Sequence, residues 1–149
     1  MPKTARSELP MEKSAVRIAI LVVALVNAIF HAILVQFIAY SLVNGLYFLV
    51  TSVLFAIGAF AVLSSGKLFR PAIIGLLSLA LIDNILIVIT ASFATPLSGG
   101  QAYGWATDLN PPGQVPVFII QMALIILTVS IWLSDRIGTQ KALLAGQGS

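Results

Sequence analysis

Long apolar runs separated by brief polar punctuation dominate the chain. Residues 18–65 contain no Asp, Glu, Lys or Arg, residues 71–107 contain only Asp83, and residues 109–134 contain none. A helix needs about 20 apolar residues to cross the hydrocarbon core of a bilayer. The first run therefore holds two spans and each of the others holds one. The pattern predicts helices near 17–38, 42–63, 71–93 and 115–134. The turn between the first two is so short that they must lie side by side. Pro71 and Pro116 fall at the starts of the third and fourth helices, where a missing N–H leaves no bond unmade. The expected fold class is all-α, a polytopic membrane protein with four transmembrane helices in an antiparallel up-down bundle.

Composition supports the same picture. The 149 residues are enough for one domain; 59% are hydrophobic and only 9% charged, against roughly 25% charged in an average soluble domain. The basic start, with Lys3, Arg6, Lys13 and Arg17, fits a signal peptide. The apolar stretch that follows outruns the roughly 7–15 residues of a signal core, so it reads as a retained helix.

Charge then sets an orientation. All eight basic residues lie in the N-terminal segment, in the turn holding Lys67 and Arg70, or near the C-terminus with Arg136 and Lys141. The turn at 37–44 and the long loop at 94–114 have none. The positive-inside rule then puts both termini in the cytoplasm, with tails at 1–14 and 136–149, and the long loop outside. An even number of spans demands the same arrangement. The expected location is the cell (plasma) membrane, as an integral, multi-pass protein. The net charge of +3 accordingly describes orientation and contact with anionic lipid, and nucleic acid is not an expected partner. With no cysteine in the chain, disulfides, thiol redox chemistry and thiolate metal sites are excluded.

The outer loop is rich in Gly and Pro. Tyr103 and Trp105 suit the headgroup level and, with Asp108, are the candidate outer contacts. The plain expectation is a surface loop with an aromatic anchor; the sharper one is a lid or docking surface.

Polar residues inside the spans carry the candidate chemistry. On the first helix Ala24, Asn27, Ala28, His31 and Ala32 recur at offsets of three, four, seven and eight, and so share a face. Val22, Val26, Ile29, Ile33 and Phe37 occupy the opposite face, suited to lipid. Depth is the more informative measure. At about 1.5 Å of rise per residue, His31, Asp83, Gln121 and Thr51 each lie roughly 20 Å from the cytoplasmic edge. Asn84 is adjacent to Asp83, and Tyr47 is one turn further out than Thr51. Every span thus contributes a polar group near one level. An ionised side chain at the bilayer centre costs at least about 2.5–3.5 kcal/mol, so these groups are expected to turn inward and find partners. His31 is the expected partner of Asp83. Asn, Gln and Thr in such positions commonly serve as interhelical glue, whereas an acid is an expensive form of glue and a better candidate for function.

Catalytic and cofactor motifs are thin. One histidine cannot build the usual multi-ligand zinc site, and bis-histidine haem ligation needs a second. Phosphate-cradling glycine loops and Gly-x-Ser-x-Gly patterns are absent, and Trp132 reads as an interface anchor. No cofactor or metal is expected. Four short spans resemble the small multidrug transporters, but their acidic residue in the first helix is here replaced by Asn27 and His31. The cysteine pairs of quinone-linked thiol oxidoreductases are missing, and Trp105 alone does not supply the outer-loop signature of claudin-like proteins. The leading expectation is a small, non-catalytic membrane subunit or scaffold, associating with other membrane subunits or with itself. The alternatives are a small proton-coupled transporter built on the Asp83–His31 layer, or a cofactor-binding subunit of a respiratory complex.

Overall fold

The structure is a computed structural model. It describes residues 11–36, 41–64, 67–95, 98, 100–109 and 111–146, with the side chains of 11–13, 138–139 and 141–146 excepted. Lys3, Arg6, Phe37 and the side chains of Lys13 and Lys141, all used above, lie outside the described residues. Four helices account for most of what is described: α1 (Met11–Leu34), α2 (Leu42–Val62), α3 (Phe69–Ser92) and α4 (Gln114–Gly146). No strand forms among the described residues, and a single bridge joins Leu109 to Pro112. All four helices are long and apolar enough to cross a membrane.

The helix starts follow local chemistry. Ser41 adopts an extended backbone and its Oγ accepts from the Asn44 N–H, capping α2. Pro71 and Pro116 each occupy the third position of their helix, within the first turn, where no intrahelical N–H bond is lost. Two boundaries differ from expectation. Helix α1 begins at Met11, ahead of the expected start and inside the segment assigned to a tail, because Glu12, Lys13, Ser14 and Ala15 continue the helix without a break. Helix α4 continues to Gly146 through the segment assigned to the C-terminal tail. Only glycine, and no proline, interrupts that segment, so nothing in it stops the helix.

Each helix packs chiefly on two neighbours, in the ring α1–α2–α3–α4–α1. The inward positions follow one rhythm: Ile20, Ala24, Asn27, Ala28 and His31 on α1; Thr51, Phe55, Ala59 and Val62 on α2; Phe69, Ile73, Leu76, Ala80 and Asp83 on α3; Val117, Gln121, Leu124, Thr128 and Ile131 on α4. Steps of three and four residues place these on one stripe per helix, the seam of a bundle. Ala32 departs from expectation: it is exposed, because at 3.6 residues per turn it falls about 100° round the helix from His31, on the flank of the inward stripe. Of the expected lipid-facing positions, Val22 and Ile29 are exposed, while Val26 and Ile33 are half-buried.

Small residues let the helices approach closely. A Cβ added at Gly58 would fall 2.5 Å from Leu76 Cδ2 and 2.8 Å from its Cγ, so α2 meets α3 there only because the position is glycine. Ser52 Oγ donates to the Ala28 carbonyl at 2.8 Å, joining α2 to α1.

The connection between α3 and α4 folds over the helix ends. Tyr103 N–H and Gly104 N–H donate to the Thr90 and Ala91 carbonyls, and Val115 N–H donates to Ala106. Carbonyls left unpaired where α3 ends are thereby satisfied. Gly104 adopts a φ of +74°, a left-handed backbone that glycine tolerates best.

Candidate functional site

Asp83 lies on the inner face of α3 and is the meeting point of the bundle. Its carboxyl group contacts one side chain from each of the other three helices. Tyr47 on α2 donates its hydroxyl to Oδ1, Gln121 on α4 donates its amide to Oδ2, and His31 Nε2 on α1 lies 2.9 Å from Oδ2. Asp83 is 2% exposed, His31 1% and Gln121 0%; Tyr47 is half-buried.

The protons in this cluster can be counted. His31 Nδ1 lies 2.9 Å from the Asn27 carbonyl oxygen one turn earlier. A carbonyl only accepts, so Nδ1 carries a hydrogen. The 2.9 Å contact between Nε2 and Oδ2 then requires one more proton, held either by the ring or by the carboxyl. Either placement leaves the pair with zero net charge. A charge-neutral pair avoids the penalty an isolated ion meets in a low-dielectric interior. The His31 ring is walled by Phe55 at 5.3 Å and Phe48 at 6.0 Å, both tilted to it.

The other polar residues of the spans take different positions. Thr51 is buried, but its hydroxyl donates to the Tyr47 and Phe48 carbonyls of its own helix and does not reach Asp83. Asn27 is fully buried and its amide donates to the Val23 carbonyl at 3.1 Å; it touches the cluster only through the backbone carbonyl that holds His31. Asn84 is buried at 6% exposure with neither amide atom hydrogen-bonded. Asn27 Oδ1 and Gln121 Oε1 are likewise buried without a partner. Three amides around one carboxyl thus keep unused hydrogen-bonding capacity.

In the loop, Tyr103 is about half exposed and its hydroxyl accepts from the Asn44 amide at 3.3 Å. Trp105 packs edge-on against Phe118, with centroids 5.8 Å apart. Asp108 is exposed and its carbonyl accepts from Gly113 N–H at 2.8 Å. None of the three contacts the Asp83 cluster.

Sequence reading missed four participants. Phe48 and Phe55 flank the imidazole, Ser52 ties α2 to α1, and Thr128 is fully buried, bonded to the Leu124 carbonyl. The four-residue step from Thr51 to Phe55 was available as a signal, but an aromatic residue in an apolar span carries no mark of its neighbour.

Grooves outside the cluster are also lined by described residues. One of about 430 Å³ is lined by Phe69, Arg70, Ile73, Trp132 and Arg136, among others. Close by, the Arg17 guanidinium sits 3.9 Å above the Phe69 ring, and Arg136 stacks on Trp132 at 4.7 Å. The second, of about 260 Å³, runs between α3 and α4 with Asn84 among its lining residues. Among the described residues no group of three or more His, Cys, Asp or Glu side chains is placed to hold a metal ion.

The fold and cluster define an all-helical bundle of four candidate membrane spans, joined at mid-length by one carboxyl group. No protein-family model, curated protein or solved structure matches the chain.

Proposed function

We propose that this chain is a small integral membrane subunit or scaffold, without catalysis of its own, that acts by associating with other membrane proteins or with further copies of itself. The helices run up and down through the cell membrane with both termini in the cytoplasm, as the basic residues favour. One observation carries the reading: the carboxyl group of Asp83 is taken up by Tyr47, His31 and Gln121, one from each remaining helix. The most expensive polar group in the spans is spent inside the chain, where it sets the register of four helices. The outward faces left over are apolar, which suits lipid and equally admits contact with another span. The test is purification from the native membrane in mild detergent, with mass spectrometry of everything retained. A defined complex or homo-oligomer is the expected result. A lone, stable monomer contradicts the reading.

A second reading, a small proton-coupled carrier, draws support from the proton shared between His31 Nε2 and Asp83 Oδ2. Moving that proton between the two leaves the pair neutral, whereas relaying one onward makes the pair gain or lose a proton and a unit of charge, and intramembrane acid and histidine groups serve proton relays elsewhere. Its test is reconstitution in vesicles. Flux that depends on pH and is lost in Asp83→Asn favours the carrier; flux absent from the wild type removes it.

A further inference from the structure

Positive charge from three helices gathers at the end of the bundle where α3 begins. Arg70 of α3 and Arg136 of α4 both line the groove of about 430 Å³ there. Asp135 is the one carboxylate in that lining, so two guanidinium groups against one acid leave it with a net charge of about +1. The Arg17 guanidinium of α1 lies 3.9 Å over the ring of Phe69, which forms part of the wall. Arg136 is laid over Trp132 at 4.7 Å. An arginine on a ring is held by its flat face, and the N–H groups that bond an anion point outward along its edge. Leu68, which precedes α3, supplies no side-chain cap, so the positive end of the helix dipole adds to the same field.

Depth identifies the ligand. The candidate spans run Phe69–Ser92 and Gln114–Ile137, each of 24 residues, so the groove lies where both of them end. Such a helix reaches about 36 Å against roughly 30 Å of hydrocarbon, which puts Arg70 and Arg136 level with the lipid headgroups. One turn further in, the wall continues as Ile73 and Ile74, and Ile74 is exposed. A molecule with a phosphate head and a hydrocarbon tail matches both parts of the groove. A water-soluble anion matches only the first.

We propose that this groove binds an anionic membrane phospholipid, with its phosphate held by Arg70 and Arg136 and an acyl chain laid along Ile73 and Ile74. Basic pockets between spans take anionic lipids in this way, and guanidinium groups suit phosphate because they bond it in pairs. The cationic group of a zwitterionic lipid meets the same positive field and gains nothing from it. The site requires only that the helices span a bilayer, and it stands whether the chain is a subunit or a carrier.

The chain has two tryptophans, which makes the test direct. Trp105→Phe leaves Trp132, 39% exposed in the groove wall, as the sole indole. The protein is placed in phosphatidylcholine nanodiscs with a rising share of phosphatidylglycerol brominated on its acyl chains. Quenching of Trp132 is compared with that by brominated phosphatidylcholine. The expected result is a preference of about fivefold for the anionic lipid, the gain from one unit of positive charge at the surface. Arg70→Gln cancels that unit while leaving Arg136 on Trp132, and is expected to bring the preference to about one. Lys67→Gln removes an exposed positive charge from the same end but outside the lining, and is expected to leave the preference unchanged. Equal quenching by the two lipids overturns the proposal. An equal loss from Lys67→Gln also overturns it, by reducing the preference to attraction by the whole basic surface. Full relief of quenching by inorganic phosphate overturns it as well and assigns the groove to a free anion.

Discussion

Replacing Asp83 by leucine and by asparagine separates two effects that a single substitution would confuse. Asp83→Leu removes the acceptor for the Tyr47 hydroxyl and the Gln121 amide, and leaves His31 Nε2 facing hydrocarbon. Orphaning a buried donor in a water-soluble protein costs about 1–3 kcal/mol, which would give several kcal/mol for three contacts. Interhelical hydrogen bonds measured inside membranes average about 0.6 kcal/mol, which gives roughly 2 kcal/mol. The smaller figure governs here, because the separated helices remain in the bilayer and their polar groups are already out of water. A loss of roughly 2 kcal/mol weakens helix association about 30-fold.

Asp83→Asn behaves differently because the hydrogens can be redistributed. The new amide oxygen still accepts from Tyr47. One amide hydrogen reaches His31 Nε2, which is free to accept because Nδ1 already holds the ring hydrogen against Asn27. The other reaches Gln121 Oε1, now unpartnered, after a flip of that amide. All three contacts survive, so the expected change is below about 0.6 kcal/mol, less than one such bond. Reversible unfolding in mixed micelles, followed by helicity and by a steric trap on the termini, measures both variants. Equal destabilisation by the two substitutions would refute the hydrogen inventory and the role of Asp83 as an acceptor for three helices.

Other expectations follow from particular contacts. Gly58→Ala drives a Cβ to 2.5 Å from Leu76 Cδ2, and Leu76 is itself enclosed at 1% exposure; about 1–3 kcal/mol of overpacking is expected in the same unfolding assay. Gly75→Ala is its control, because nothing lies within 4 Å of the added Cβ, and the removal of a helical glycine should stabilise by roughly 0.5–1 kcal/mol. Gly113→Ala places a Cβ 2.5 Å from the Ala106 carbonyl oxygen, a backbone atom that cannot step aside, so proteolysis of the 94–114 loop should accelerate. Tyr47→Phe removes one of the three contacts to Asp83 and should cost about 0.6 kcal/mol, one third of the effect of Asp83→Leu.

The four helices were legible because lipid imposes length and apolarity, and both are printed directly in residue order. Depth counted from the cytoplasmic edge brought His31, Asp83 and Gln121 to one level, and His31 and Gln121 both contact Asp83. Thr51 lies at the same depth but is bonded to its own helix. Depth fixes height along the bundle and says nothing of azimuth or of whether a hydroxyl prefers a neighbouring carbonyl. The same limit explains Asn84, whose depth matches that of Asp83 while its side chain finds no hydrogen-bond partner among the described residues. The start of α1 at Met11 and the end of α4 at Gly146 were hidden because polar residues that favour helix give no apolar signal. Close approach at Gly58 was unreadable, since glycine in a span looks the same whether it faces Leu76 or open space.

The most direct test of the central claim, that one carboxyl group registers four helices, is a set of three double-mutant cycles. Asp83→Leu is combined in turn with His31→Leu, Tyr47→Phe and Gln121→Leu, and each pair is unfolded reversibly in bilayer-like micelles. The account predicts a favourable coupling of about 0.6 kcal/mol or more in every cycle. Coupling near zero between Asp83 and any of the three partners would contradict it.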